Sequence, residues 1–208
     1  MPPKKPSSQD TGFSRRSFIK GAGLTAAGTT VLNSGLLGQT NEAPSRALGP
    51  GAVPVTLQVN GAARRLEIEP RTTLAEALRV DLDLTGTKVV CDRGSCSACT
   101  VLLDGTPVNS CMTFALDVGN RQITTIEGLS RGNELHPVQA AFIEHDGMQC
   151  GYCTPGMVMS CAALLSRNSD PSMDDVRQAC SGNLCRCGTY PKVFAAALAA
   201  AKSARKGA

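Results

Sequence analysis

The chain has 208 residues, 42% of them hydrophobic but only 3% aromatic, with no tryptophan and ten cysteines. That is enough for one ordinary domain or two small ones, with a thin core that a cysteine-bound group would supplement. The net charge of +4 sits in the first twenty residues, where Lys4, Lys5, Arg15, Arg16 and Lys20 face only Asp10; from Leu48 onward basic and acidic residues balance, which excludes the electrostatic footprint of a nucleic-acid or anionic-membrane binder.

In chain order, the leader comes first. Ser14–Lys20, SRRSFIK, is a twin-arginine pattern, and the mildly apolar run GAGLTAAGTTVLNSGLLG follows it, interrupted by Asn33 and Gly35. That run is too weak for a stable membrane span. A basic region, a mild apolar region and small residues in that order predict a twin-arginine signal and linker over residues 1–47, cut near Ser45 or Ala47. Such a signal exports proteins already folded. It predicts a periplasmic protein whose cofactor is inserted in the cytoplasm, where thiols stay reduced.

Residues 48–129 carry a period of two. Val55, Leu57 and Val59 alternate up to an Asn60-Gly61 turn, and the alternation resumes through Leu66 and Ile68, which predicts a β-hairpin. Thr73 and Glu76 form a capping box opening a helix that runs to about Leu82. A cysteine-rich loop follows, then TVLLDGTPV as strand, Asp104-Gly105 turn and return strand near Cys111, then RQITTIEGL as one more strand. Residues 130–208 change to helical spacing. HPVQAAFIEHDG, TPGMVMSCAALLS, SMDDVRQACSG and YPKVFAAALAAAK each predict a short helix, the third opened by a Ser172–Asp175 capping box. The whole predicts an α+β domain followed by an all-α one.

Cys91-x4-Cys96-x2-Cys99 with a later Cys111 matches the plant-type spacing for a 2Fe–2S cluster. The small residues Gly94, Ser95, Ser97 and Ala98 allow the chain to curl and its N–H groups to face sulfide. Zinc is the alternative, but zinc sites pair Cys-x2-Cys with a second such pair or with histidines, and gaps of x4 and x11 are unusual there. A second set is Cys150-x2-Cys153 with Cys185-x-Cys187. Both of its pairs fall near predicted helix N-termini, which lower a thiol pKa and favour an anionic cluster. Cys161 and Cys180 read as small buried hydrophobes; a disulfide between them after export is left open. His136 reads as a helix-start residue and His145 as a surface one, neither as a metal ligand.

With these motifs in view, GTKVVCDRGSCSACTVLLDGTPVNSC, LHPVQAAFIEHDGMQCGYCTPGMVMS and SGNLCRCGTYPKV resemble the iron–sulfur subunits of the molybdenum hydroxylases, the family of xanthine dehydrogenase and aldehyde oxidase. With its leader, the chain is most similar to the periplasmic aldehyde oxidoreductase branch. The resemblance implies a β-grasp ferredoxin domain and a four-helix bundle, each holding one 2Fe–2S cluster. It implies that Gln149 hydrogen-bonds a pterin and that Cys187 touches it while ligating iron. It further implies a large molybdopterin-binding subunit (cytosine dinucleotide type) and an FAD-binding subunit as partners. Three features depart from the family pattern. Val90 stands before the first cysteine and Ser97 between Cys96 and Cys99, where glycine is frequent, and Gly188-Thr189 inverts the commoner Thr-Gly order. The chain itself has no dinucleotide-binding glycine fingerprint and no residue pair placed for catalysis. Its expected role is electron transfer within an aldehyde or heteroaromatic oxidoreductase, with a free-standing two-cluster carrier as the alternative.

Overall fold

The computed structural model describes residues 48–206. The twin-arginine motif and its cleavage region lie outside the described residues.

The first hairpin forms as its alternation predicts. β1 (Val53–Val59) and β2 (Ala62–Ile68) pair antiparallel in the register Val59↔Ala62. Asn60 and Gly61 both have positive φ, which matches the primed turn that suits strand twist. The Thr73–Glu76 capping box is formed in both directions. The helix it opens, α1 (Leu74–Glu76), is short and widens into a π-type turn over Ala77–Asp81. β3 (Thr100–Leu103) and β4 (Thr106–Asn109) pair across the Asp104-Gly105 turn, and β5 (Gln122–Thr124) completes the sheet. The strand order is β2-β1-β5-β3-β4, with β5 parallel to β1 and antiparallel to β3. The last strand in the chain is therefore the central one. Leu57, Val59, Leu74, Leu78, Val101, Leu103 and Ile123 close a core between the sheet and α1.

The second half has four helices: α2 (Pro137–Glu144), α3 (Thr154–Arg167), α4 (Met173–Ala179) and α5 (Tyr190–Lys206). They share an apolar core of Phe142, Met157, Val158, Val176, Val193 and a run of alanines on α5. The alanines let helix backbones approach closely without large side chains, which suits so aromatic-poor a sequence. α3 also lies on the outer face of the sheet, where Leu102 meets Met159 and Ala163. All four residues of β3 are consequently buried: Val101 and Leu103 face the sheet core, while Leu102 faces α3. Among the described residues no helix is long and apolar enough to cross a membrane.

Candidate metal centres

The first cysteine loop is held open by its surroundings rather than by regular structure. At its stem, Arg79 donates to the carbonyls of Thr85 (2.8 Å) and Thr87 (2.7 Å), and Gly86 N–H donates to Glu127 (2.7 Å). At its tip, Asp92, Gly94 and Ser97 all adopt positive φ, so the chain curls back on itself three times. Asn109 donates to the Gly94 carbonyl (3.1 Å), and the Ser110 hydroxyl to the Cys99 carbonyl (2.7 Å). Cys111 lies in a short 3-10 turn, Ser110–Met112, just past β4 rather than on the return strand itself.

These constraints bring the four thiols together as two pairs, Cys91 with Cys96 and Cys99 with Cys111. Ala75, the small residue of α1, packs on the second pair. Cys91, hydrogen-bonded by the Arg93 backbone and the Cys96 thiol, is lowered to about 7. Burial, and then the neighbouring Cys99, push Cys111 up to about 11. Two adjacent thiol pairs fit a two-iron rhomb, in which each iron takes two thiolates. Binding must expel protons held by the buried thiols, so loading depends on pH.

The second set assembles from two segments. Cys153 is the N-cap of α3, Cys150 precedes it, and Cys185 and Cys187 lie on the loop into α5. The Cys153 thiol has the Cys185 and Cys150 thiols as neighbours. The helix-terminus argument does not hold for Cys153: burial, and then Cys185, push its pKa up to about 12. At Cys185 burial also acts upwards, but contacts from Thr189, and then from the Cys153 thiol and the Gly188 backbone, together outweigh it and bring the thiol to about 7. The Tyr190 hydroxyl fixes this loop by accepting from Cys185 N–H (2.8 Å) and donating to the Asn183 carbonyl (3.2 Å). Thr154 Oγ1, beside Cys153, is buried with no hydrogen-bond partner among the described residues. A buried hydroxyl without a partner is costly, and a sulfur acceptor at this site would satisfy it. Cys150 and Cys187 are exposed, as is Gln149; the three side chains face outward.

The two sites meet along one seam. Leu184 N–H donates to the Cys96 carbonyl (3.0 Å), so a candidate ligand of the first site is one hydrogen bond and one peptide from Cys185 of the second. The buried Asn183 amide donates to the Ser97 carbonyl (3.0 Å) and accepts from the Ser160 hydroxyl (2.9 Å). Gly156, on the first turn of α3, lies under the same loop: a Cβ there would overlap the Ser97 carbonyl oxygen and stand 3.1 Å from Ala98 Cα. The Ser97 backbone carbonyl is thus a point of contact between the sites.

Cys161 and Cys180 are buried, as expected, with sulfurs 3.6 Å apart, hydrogen-bonded as thiols. That bond, and then burial, hold Cys161 protonated. His136 caps α2, its Nδ1 accepting from Val138 N–H (3.3 Å). His145 ends the same helix and is half-buried rather than fully exposed. Large apolar side chains surround both sites on the outside: Val90, Met112 and Phe114 near the first, Met148, Tyr152 and Leu184 near the second.

Comparison with known proteins agrees with this geometry. Residues 57–123 match a 2Fe-2S iron-sulfur cluster binding domain, and residues 125–198 a [2Fe-2S] binding domain. The chain is 44% identical over 202 residues to the aldehyde oxidoreductase iron-sulfur-binding subunit PaoA of Escherichia coli K12, covering 90% of this chain and 87% of the relative. It is 46% identical over 146 residues to the nicotine 6-hydroxylase small subunit of Paenarthrobacter nicotinovorans, covering 70% and 88%. Among solved structures, a chain of quinoline 2-oxidoreductase from Pseudomonas putida 86 superposes with a TM-score of 0.72 at 43% identity, covering 76% of this chain and 98% of that one. The aldehyde oxidoreductase from Desulfovibrio gigas gives 0.71 at 40% identity, covering 75% of this chain and 18% of that one.

Proposed function

This chain belongs to the iron–sulfur subunits of the molybdenum hydroxylases, and from that premise we propose that it relays electrons, one at a time, from a molybdopterin-binding large subunit towards an FAD-binding subunit or another acceptor. Cys150, Cys153, Cys185 and Cys187 hold the 2Fe–2S cluster nearer the pterin, and Cys91, Cys96, Cys99 and Cys111 hold the outer one. When bound, each cluster supplies a one-electron carrier. The observation that carries the reading is the seam, where the Leu184–Cys96 hydrogen bond (3.0 Å) joins the two sets of thiols.

The chain's own residues have distinct duties in this reading. A ferredoxin domain over 48–129 and a helical domain over 130–208, of four-helix-bundle type, each cradle one cluster. Their buried thiols exclude water from the inner sulfurs, and Asn183 and Gly156 fix the distance an electron must cross. Gln149 and Cys187, both exposed, face the large subunit and reach its pterin. The apolar side chains of Tyr152 and Leu184 pack against that subunit, and those of Met112 and Phe114 against the next acceptor. Substrate oxidation takes place on the large subunit. Residues 1–47 act as a twin-arginine signal, so the assembled holoprotein works in the periplasm. Changing Arg15 and Arg16 to lysine should trap it in the cytoplasm, and unchanged fractionation would contradict that assignment.

The deciding experiment is metal analysis and EPR of the complex purified from its native host. About four iron and four acid-labile sulfide per chain, with two S = 1/2 signals on reduction, are expected for two such clusters. Zinc, or oxidised thiols without metal, would overturn the reading. Copurification of a large partner separates a subunit from a free-standing carrier.

A further inference from the structure

The inverted Gly188-Thr189 order has a chemical consequence at the second site. Gly188 has a φ of +76°, a conformation that glycine adopts without a side-chain penalty. It turns the chain so that its own N–H donates to the Cys185 carbonyl (3.3 Å). The next residue, Thr189, is then buried against Cys185, with its hydroxyl 3.1 Å and its backbone nitrogen 3.5 Å from the sulfur. With glycine and threonine exchanged, a β-branched residue would occupy the left-handed position and the hydroxyl would leave the sulfur.

While Cys185 is a thiol, either partner can donate in the hydroxyl–sulfur contact. A cysteine bound to iron is a thiolate and has no proton to give, so the threonine hydroxyl must then be the donor. Thr154 follows Cys153 in the chain, its buried hydroxyl unpartnered among the described residues. Hydrogen bonds to ligand sulfur stabilise the more negatively charged, reduced form of a cluster and raise its potential.

We propose that Thr189 is a positioning and tuning residue of the second cluster: its hydroxyl donates to the Cys185 thiolate and holds that cluster at a more positive potential than its ligands alone would set. Thr154 adds a second donor on the Cys153 side. The proposal rests on the two-cluster reading above.

The test is an EPR-monitored redox titration of the intact complex carrying Thr189→Val, which keeps the shape and loses the donor. One of the two cluster signals should shift to a more negative midpoint while the other stays in place, and Thr189→Ser should restore the original value. If the valine variant loses iron, Thr189→Ala gives the same decision without a branched side chain. Thr154→Val should shift the same signal in the same direction. An unmoved midpoint, equal movement of both signals, or a serine variant that shifts as far as valine would overturn the proposal. Absence of two signals in the wild-type complex would instead overturn the two-cluster reading itself.

Discussion

Replacing Gly156 with alanine tests whether the two cluster loops are held in contact by α3. A Cβ at this position would meet the Ser97 carbonyl oxygen, Ala98 Cα and the Ala98 carbonyl oxygen. All three are backbone atoms, which cannot rotate aside as a side chain would. The strain should therefore fall at the upper end of the usual overpacking cost, about 3 kcal/mol. Opposing it, alanine is the better helix former by about 1 kcal/mol. The net loss of about 2 kcal/mol corresponds to a melting point lower by about 4–8 °C in a chain of this size. Bleaching of the visible cluster absorption on heating follows this site in the intact complex. EPR of the fully reduced complex follows the geometry, because dipolar coupling between two spins falls with the cube of their separation. The variant should bleach earlier and show weaker coupling. Bleaching at or above the wild-type temperature with unchanged coupling would refute the close approach.

Asn183→Ala should remove the tie to the Ser97 carbonyl, which keeps its bond from the Thr100 hydroxyl, and leave the Ser160 hydroxyl without its partner in a buried seam, at about 1–3 kcal/mol for that unsatisfied group. Ser160→Ala, which breaks only the hydroxyl bond, should lower the bleaching temperature less, and the reverse order would contradict the assigned roles. Cys99→Ser should abolish one EPR signal and about half the iron, in keeping with two separate clusters, while the other signal persists; loss of both would mean that the sites do not fill independently. His136 should make stability depend on pH. Desolvation, and then the Arg131 charge, lower its pKa in the folded chain. Below about pH 6.5, the ordinary histidine value, the unfolded chain takes up the proton first. Stability is therefore full above that pH and declines as pH falls towards the folded value. Thermal unfolding at pH 7.5 and 5.5 should show this decline in the wild type and a smaller one in His136→Asn, which can still cap α2.

The local features of this fold were legible in the sequence because their causes are local. The Thr73–Glu76 and Ser172–Asp175 boxes need only a three-residue spacing, and both form. The Asn60-Gly61 and Asp104-Gly105 turns need only residues that tolerate positive φ. The cysteine spacing located both candidate sites for the same reason. Asn183 was invisible because its partner Ser97 is 86 positions away, and no periodicity signals a contact of that kind. Gly156 looked like an ordinary glycine in a helix until the Ser97–Ala98 loop appeared above it. Cys153 shows the opposite error. Its place at a helix N-terminus was read correctly, but burial, and then the neighbouring Cys185, raise its pKa, and burial depends on the whole fold.

The strand order also sets a sequence of events in time. Each hairpin, β1–β2 and β3–β4, closes through a short turn and can form as soon as it is synthesised. They become one sheet only when β5, the last strand made, inserts between β1 and β3. The pairing of Gln58 with Gln122 closes a long loop, so it is the slow, entropically costly step. All four cysteines of the first site leave the ribosome before that step, on a segment whose two ends are not yet fixed relative to each other. Iron delivered to a nascent chain would meet floppy thiols open to mismatched ligation. A chain released with its sheet closed presents the same thiols already paired, which favours filling the first site after synthesis rather than during it.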